Sequence, residues 1–300
     1  MTTTTSGGTS DRGVIHDIGY RHYTGPRLGR RHIVTALYAD SLRGAYGLGR
    51  SAKSKIIPMG LFVLMAVPAA ILVLVTAVSK VTEIPGGYTS YTFKLQALIP
   101  VFLAAQAPVV VARDLRFRVM SLYLSRPLRR DDYVLAKYAA FATAVFALLV
   151  TPLLILFAGA LLLKLPFGEQ ISGFLPALAG DILFALVLAA IALMIASVTP
   201  RRGFGVAAIV TVLTVMTTVG LSAEAIAAEH GSWTLAGHLG MISPFSVVQG
   251  VQTWLFGADN PAPAGPQGTA GGLIYTAVTA AVLAGCYGFL LLRYRKVSVS

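Results

Sequence analysis

Six apolar stretches, at residues 56–79, 95–112, 138–163, 174–198, 203–222 and 273–292, are each long enough to cross a bilayer. A hydrocarbon layer about 30 Å thick takes about 20 helical residues, because lipid offers no hydrogen-bond partner and each spanning backbone must satisfy itself. The pattern predicts an all-α membrane protein with six transmembrane helices. Composition agrees, with 56% hydrophobic and 12% charged residues and a mean hydropathy of +0.74.

Orientation follows from the cations. Of 24 Lys and Arg residues, only Lys80, Lys94 and Lys164 fall on one side of the six-span topology, whereas the first 55 residues hold nine and 113–137 hold seven. Both termini are therefore expected in the cytoplasm, with the protein in the cell membrane. The formal charge of +12 would suit nucleic acid through counterion release, but the positive-inside bias accounts for its placement and no nucleic-acid partner is expected. The first 55 residues are polar and basic, with no short apolar core of a secretory signal. Cys286 is the single cysteine, which leaves no intramolecular disulfide and no cysteine-based zinc site.

The chain divides into a flexible leader (1–32), an amphipathic segment (33–55), the six-span domain (56–293) and a short cytoplasmic tail (294–300). In the second of these, Ile33, Val34, Leu37, Tyr38, Leu42, Ala45 and Tyr46 recur near helical spacing, which predicts an interfacial elbow helix; a cytoplasmic helix packed on protein is the alternative. The outer segment 223–272 contains two apolar patches, 239–242 and 245–256, split by Ser243-Pro244 and too short to span. They predict short re-entrant or interfacial helices before the last span, with Trp233 and Trp254 suited to the lipid boundary.

The cytoplasmic segment 113–137 carries the densest charge. A helix with Leu115, Val119, Leu122 and Tyr123 on one side should end near Ser125-Arg126-Pro127, since proline cannot continue it. Asp131 and Asp132 suit the first turn of the next helix, where carboxylates meet exposed amides and the helix dipole.

The run from Asp114 through Leu124-Ser125-Arg126-Pro127-Leu128 to Lys137, followed at once by a span, resembles the cytoplasmic loop of type-2 ABC transporter permeases. The leader Tyr23-Thr24-Gly25-Pro26-Arg27-Leu28-Gly29-Arg30 is similar to that of actinobacterial members, and Ser243-Pro244-Phe245 stands in a long outer segment like theirs. Many members begin the loop with Asp-Arg-Glu and then Gly-Thr, where this chain has Arg113-Asp114-Leu115-Arg116-Phe117-Arg118. The resemblance implies a permease subunit, in most of the family an exporter, that pairs with a second copy or a homologue. It also implies docking of two ABC ATPase (nucleotide-binding) subunits, which hold ATP and Mg while this chain binds no cofactor. Asp114, Arg116, Leu122, Tyr123, Leu124, Arg126, Pro127, Arg129 and Asp132 would form the ATPase-coupling loop. The same cations also suit solvent or the phosphates of membrane lipids.

The chain has no phosphate loop of its own. The nearest stretch, Gly47-Leu48-Gly49-Arg50-Ser51-Ala52-Lys53-Ser54, has alanine at the second glycine position and a helical pattern before it where a strand is needed. His230 and His238 are eight apart, off any common helix face, so no metal site is expected. Asp181 is the one acid within a predicted span, and Glu224 follows the fifth; three outer acids, with Glu229, do not make a proton relay. Gln106, Asp181, Glu224, Pro244 and Phe245 are the candidates for a pathway or outer gate. Thr211, Thr214, Thr217 and Thr218 are further mid-span polar groups, and Ala185, Ala189, Ala192 and Ala196 give the small-residue spacing that lets helices approach. An ion-coupled secondary carrier and a non-transporting membrane scaffold are the other readings; internal repeats and buried charge would favour the carrier.

Overall fold

The structure is a computed structural model that describes residues 25, 28–49, 51–79, 85–111, 114, 128–199, 201–258 and 260–297. Helices joined by turns and short connections make up these residues, with no strand among them. The helices are α1 (Arg30–Ala45), α2 (Lys53–Ser79), α3 (Thr89–Lys94), α4 (Ile99–Val110), α5 (Arg130–Leu162), α6 (Phe167–Val198), α7 (Arg202–Glu229), α8 (Trp233–Gly240), α9 (Pro244–Phe256) and α10 (Gly268–Val297).

Five of them, α2, α5, α6, α7 and α10, are long and apolar enough to cross a membrane. Each begins before its predicted stretch, because a helix has no reason to start where lipid starts. The second predicted span differs. Residues 95–112 yield only the 12-residue α4, about 18 Å at 1.5 Å per residue, preceded by the six-residue α3 and a turn at 95–98. Pro100 stands in the first turn of α4, with no N–H to offer the Gln96 carbonyl and a ring that crowds it. The break is tolerated because Ser90–Phe93 of α3 and most of α4 are buried in protein rather than facing lipid.

Burial separates inner from outer helices. In the most apolar 18-residue window, 61% of α6 is buried, against 22% for α2, α7 and α10, so α6 is the inner helix of the five. Ala185, Ala189, Ala192 and Ala196 are all buried on it, which commits that small-residue row to packing inside this chain. On α2, Val63, Leu64, Ile71, Leu74 and Val78 are exposed, as lipid-facing positions can be without cost. A tight hairpin joins α5 to α6: Lys164 takes the left-handed conformation (φ 57°), and Leu165 N–H donates to the Ala160 carbonyl at 3.1 Å, closing the helix end in a Schellman-type turn.

The amphipathic N-terminal segment forms α1 over Arg30–Ala45, shorter than predicted at its C-terminal end. It packs on α5 and α4, with Leu37, Ser41 and Ala45 buried. Tyr38 Oη donates to Thr143 Oγ1 at 2.9 Å and Tyr46 Oη to the Ala144 carbonyl at 2.7 Å. The outer apolar patches become the end of α8 and the whole of α9. Ser243 caps α9, its Oγ accepting from Ser246 N–H at 3.2 Å, and Pro244 opens it where a missing N–H costs nothing. Every residue from Pro244 to Gln252 is buried, so α9 is inserted against α6, α7 and α10.

Candidate functional site

The charged segment connects α4 to α5, and residues at its two ends meet. Asp114 and Lys137 pair at 2.8 Å, each side chain 6% exposed. Tyr133 Oη donates to Asp114 Oδ2 at 2.6 Å, and Lys137 Nζ also donates to the Val110 carbonyl at 3.1 Å. That carbonyl belongs to the last residue of α4, where the helix dipole favours a cation. The Tyr133 ring lies 5.6 Å from Lys137 Nζ and 5.4 Å from the Tyr294 ring of α10. One buried ion pair thus joins α4, α5 and α10. Breaking such a pair by removing one partner is costly, because a buried charge is left uncompensated.

Outside this buried cluster, Asp132 does two things. Its Oδ2 accepts from the Arg129 backbone N–H at 3.1 Å, capping α5 as its position predicts. Both carboxylate oxygens also accept from the Arg30 guanidinium, at 2.6 and 2.7 Å, fastening the start of α1 to the start of α5. The hydrogen bond to Asp132 holds Arg30 above its ordinary pKa. Of the predicted coupling residues, Asp114, Arg129 and Asp132 are thus placed at the root of the loop, with Asp114 turned inward. Arg116, Leu122, Tyr123, Leu124, Arg126 and Pro127 lie outside the described residues.

At the opposite end of the bundle the predicted pathway residues are interior. Asp181, fifteenth of the 32 residues of α6, is 2% exposed and accepts from Thr92 Oγ1 of α3 at 2.7 Å; its Oδ2 has no hydrogen-bond partner among the described residues. Glu224 is fully buried and accepts from Ala264 N–H at 2.8 Å, tying the 260–267 connection to α7. Pro244 and Phe245 are buried in α9, with the Phe245 ring 6.0 Å from that of Phe184. Gln106 does not join them: it lies on α4 beside Lys53 and Arg202, the first residues of α2 and α7. Thr211, Thr214 and Thr218 stand on an exposed face of α7. Trp233 is 52% exposed, whereas Trp254 fills the space beside Gly272 of α10.

Several participants escape a sequence reading. Thr92 is the partner of Asp181, and Tyr88 and Gln170 line an open cleft of about 530 Å³ that also includes Glu169, Pro176 and Gly257, with Tyr88 Oη donating to Gln170 Oε1 at 2.6 Å. No sequence signal marks them. Tyr133 and Lys137 could have been found, since a four-residue spacing puts them on one helix face. Among the described residues no group of three His, Cys, Asp or Glu side chains could hold a metal.

Residues 94–299 match the family described as ABC-2 family transporter protein, and no curated protein matches the chain. The matched region covers more than two thirds of the sequence and includes both loop ends and every outer element from α4 onward, so this chain belongs to the ABC-2 transporter family as a membrane component.

Proposed function

We propose that this chain is the transmembrane permease subunit of an ATP-driven exporter, coupling ATP hydrolysis on a separate nucleotide-binding subunit to substrate movement through six spans. In this reading α3 and α4 together form the second span. The basic end is cytoplasmic, both termini lie there, and the host membrane is the cell membrane. The observation that carries the reading is the Asp114–Lys137 pair. It ties both ends of the 113–137 loop to three helices, so that a push on the loop by a docked ATPase moves α4, α5 and α10 together and does not merely bend a tether. Arg116, Leu122, Tyr123, Leu124, Arg126 and Pro127 provide the mixed apolar and basic surface that a cleft on the ATPase would take. ATP and Mg belong to that partner. A second permease copy or homologue would cover the exposed Thr211, Thr214 and Thr218 face of α7, and α1 serves as the elbow that carries motion of the loop root into α2.

Purification of the tagged protein from its native membrane in mild detergent should bring down a near-stoichiometric soluble subunit with ATPase motifs. In that complex, Arg126→Glu with Pro127→Ala should leave the permease in the membrane while substrate no longer stimulates ATP hydrolysis. Normal stimulation in the double variant would overturn the coupling role of the loop, and reproducible absence of an ATPase would overturn the ATP-driven reading.

A further inference from the structure

The stretch 47–54 fails as a nucleotide loop, yet Gly47, Ser51, Lys53 and Ser54 from it help to line a cleft of about 290 Å³ together with Gln106 and Arg202. Four elements converge there: the end of α1, the first turns of α2 and α7, and the second half of α4. Among the described residues, Lys53 and Arg202 are its charged groups, and neither makes an ion pair with a described residue. No carboxylate of a described residue lines it; Asp40, one turn before Gly44 on α1, lies outside the lining. The Ser54 hydroxyl is already engaged with the Ser51 carbonyl at 2.8 Å. Gln106 is not: it is 5% exposed and faces this cleft, and none of the hydrogen bonds among the described residues involves its amide.

The Gln106 amide lines the cleft and is available to whatever occupies it. Two cations and a donor amide call for a negative, oxygen-rich ligand. Ile57, 49% exposed on the outer face of α2, adds an apolar wall on the side where lipid would lie. We propose that this cleft binds a phosphate group, with an anionic phospholipid headgroup seated between Lys53 and Arg202 and its acyl chain running along Ile57. A lipid held there would brace the α1–α2 turn against α4 and α7. The inference is independent of any ATPase partner and of the transported substrate.

Native mass spectrometry of the full chain in mild detergent tests it, with phosphatidylglycerol, phosphatidylcholine and inorganic phosphate offered separately. Retention of phosphatidylglycerol over phosphatidylcholine is expected, falling roughly thirtyfold in Lys53→Gln/Arg202→Gln, the effect of two cations at an anionic headgroup. Lys53→Arg should keep it, which separates lost charge from lost fold, and Lys55→Gln/Arg201→Gln should keep it too, since those cations do not line the cleft. Binding of inorganic phosphate with the same dependence on Lys53 and Arg202 supports the site with a soluble occupant. Equal retention of both lipids without phosphate binding, or phosphatidylglycerol retention unchanged in Lys53→Gln/Arg202→Gln, overturns it.

Discussion

Replacing Lys137 with Met removes the cation that Asp114 faces at 2.8 Å and leaves a carboxylate, 6% exposed, with the Tyr133 hydroxyl as its remaining donor among the described residues, at 2.6 Å. One neutral hydrogen bond does not offset a desolvated charge, so the loss should be about 3–5 kcal/mol, the range for breaking a buried pair. The reciprocal change, Asp114→Leu, should cost less. Lys137 keeps the Val110 carbonyl at 3.1 Å and the Tyr133 ring at 5.6 Å, and a cation over an aromatic face retains about 0.5–2 kcal/mol. Changing both together removes both desolvation penalties, and the double variant should be much more stable than the two single losses added together imply. Reversible unfolding of the detergent-solubilised chain by increasing dodecyl sulfate, read by circular dichroism, gives the full cycle. Single losses that add to the double within about 0.5 kcal/mol would show that the pair is not coupled, and the argument that the loop is clamped at its root would fail with it.

Two further outcomes follow from close contacts at the opposite end. A Cβ at Gly220 would lie 2.7 Å from Ser243 N, and backbone at the capped start of α9 has little freedom to give, so Gly220→Ala should lose about 1–3 kcal/mol in the same unfolding assay. Gly203→Ala, in open space on the same helix, should be neutral or gain up to about 1 kcal/mol; equal effects would refute the packing argument. Glu224→Ala orphans the buried Ala264 N–H, a loss of about 1–3 kcal/mol. It should speed cleavage of the 260–267 connection by added protease, which an unchanged digestion rate would contradict.

Hydropathy made α2, α5, α6, α7 and α10 legible, because a spanning helix must be apolar along its whole length and so announces itself in a window of that length. The start of α9 was legible for a local reason: Ser243-Pro244 is a capping residue followed by a first-turn proline. The split of the second span was not, although Pro100 stands in it, since a hydropathy window averages across one proline. Long-range partners were out of reach. Asp114 and Lys137 both stand in the motif, but the Val110 carbonyl, the Tyr294 ring and the inward turn of Asp114 depend on how three helices meet. The alanine row on α6 shows the same limit. Small residues at that spacing predict close approach, and only the packing tells whether the neighbour is within the chain or in another.

The break between α3 and α4 can be held by Pro100 or by the contacts of α3, and magnitudes decide between them. Pro100→Ala would restore an N–H able to bond the Gln96 carbonyl, a net gain of about 1 kcal/mol, and would relieve the ring clash that favours the turn. Against that stand three hydrogen bonds from the α3 region: Thr92 to Asp181 at 2.7 Å, Tyr91 to the Met65 carbonyl at 2.5 Å and Tyr88 to Gln170 at 2.6 Å. At about 1 kcal/mol each they outweigh the gain, since straightening residues 95–98 would rotate all three away from their partners. The turn should therefore persist in Pro100→Ala, with hydrogen–deuterium exchange across 95–98 close to that of the unmodified protein. In Pro100→Ala/Thr92→Val, which gives up the bond to Asp181, exchange across the same amides should slow as the helix closes. A slowing of about tenfold or more in Pro100→Ala alone would assign the break to the proline and would remove the reason for treating Asp181 as the anchor of α3.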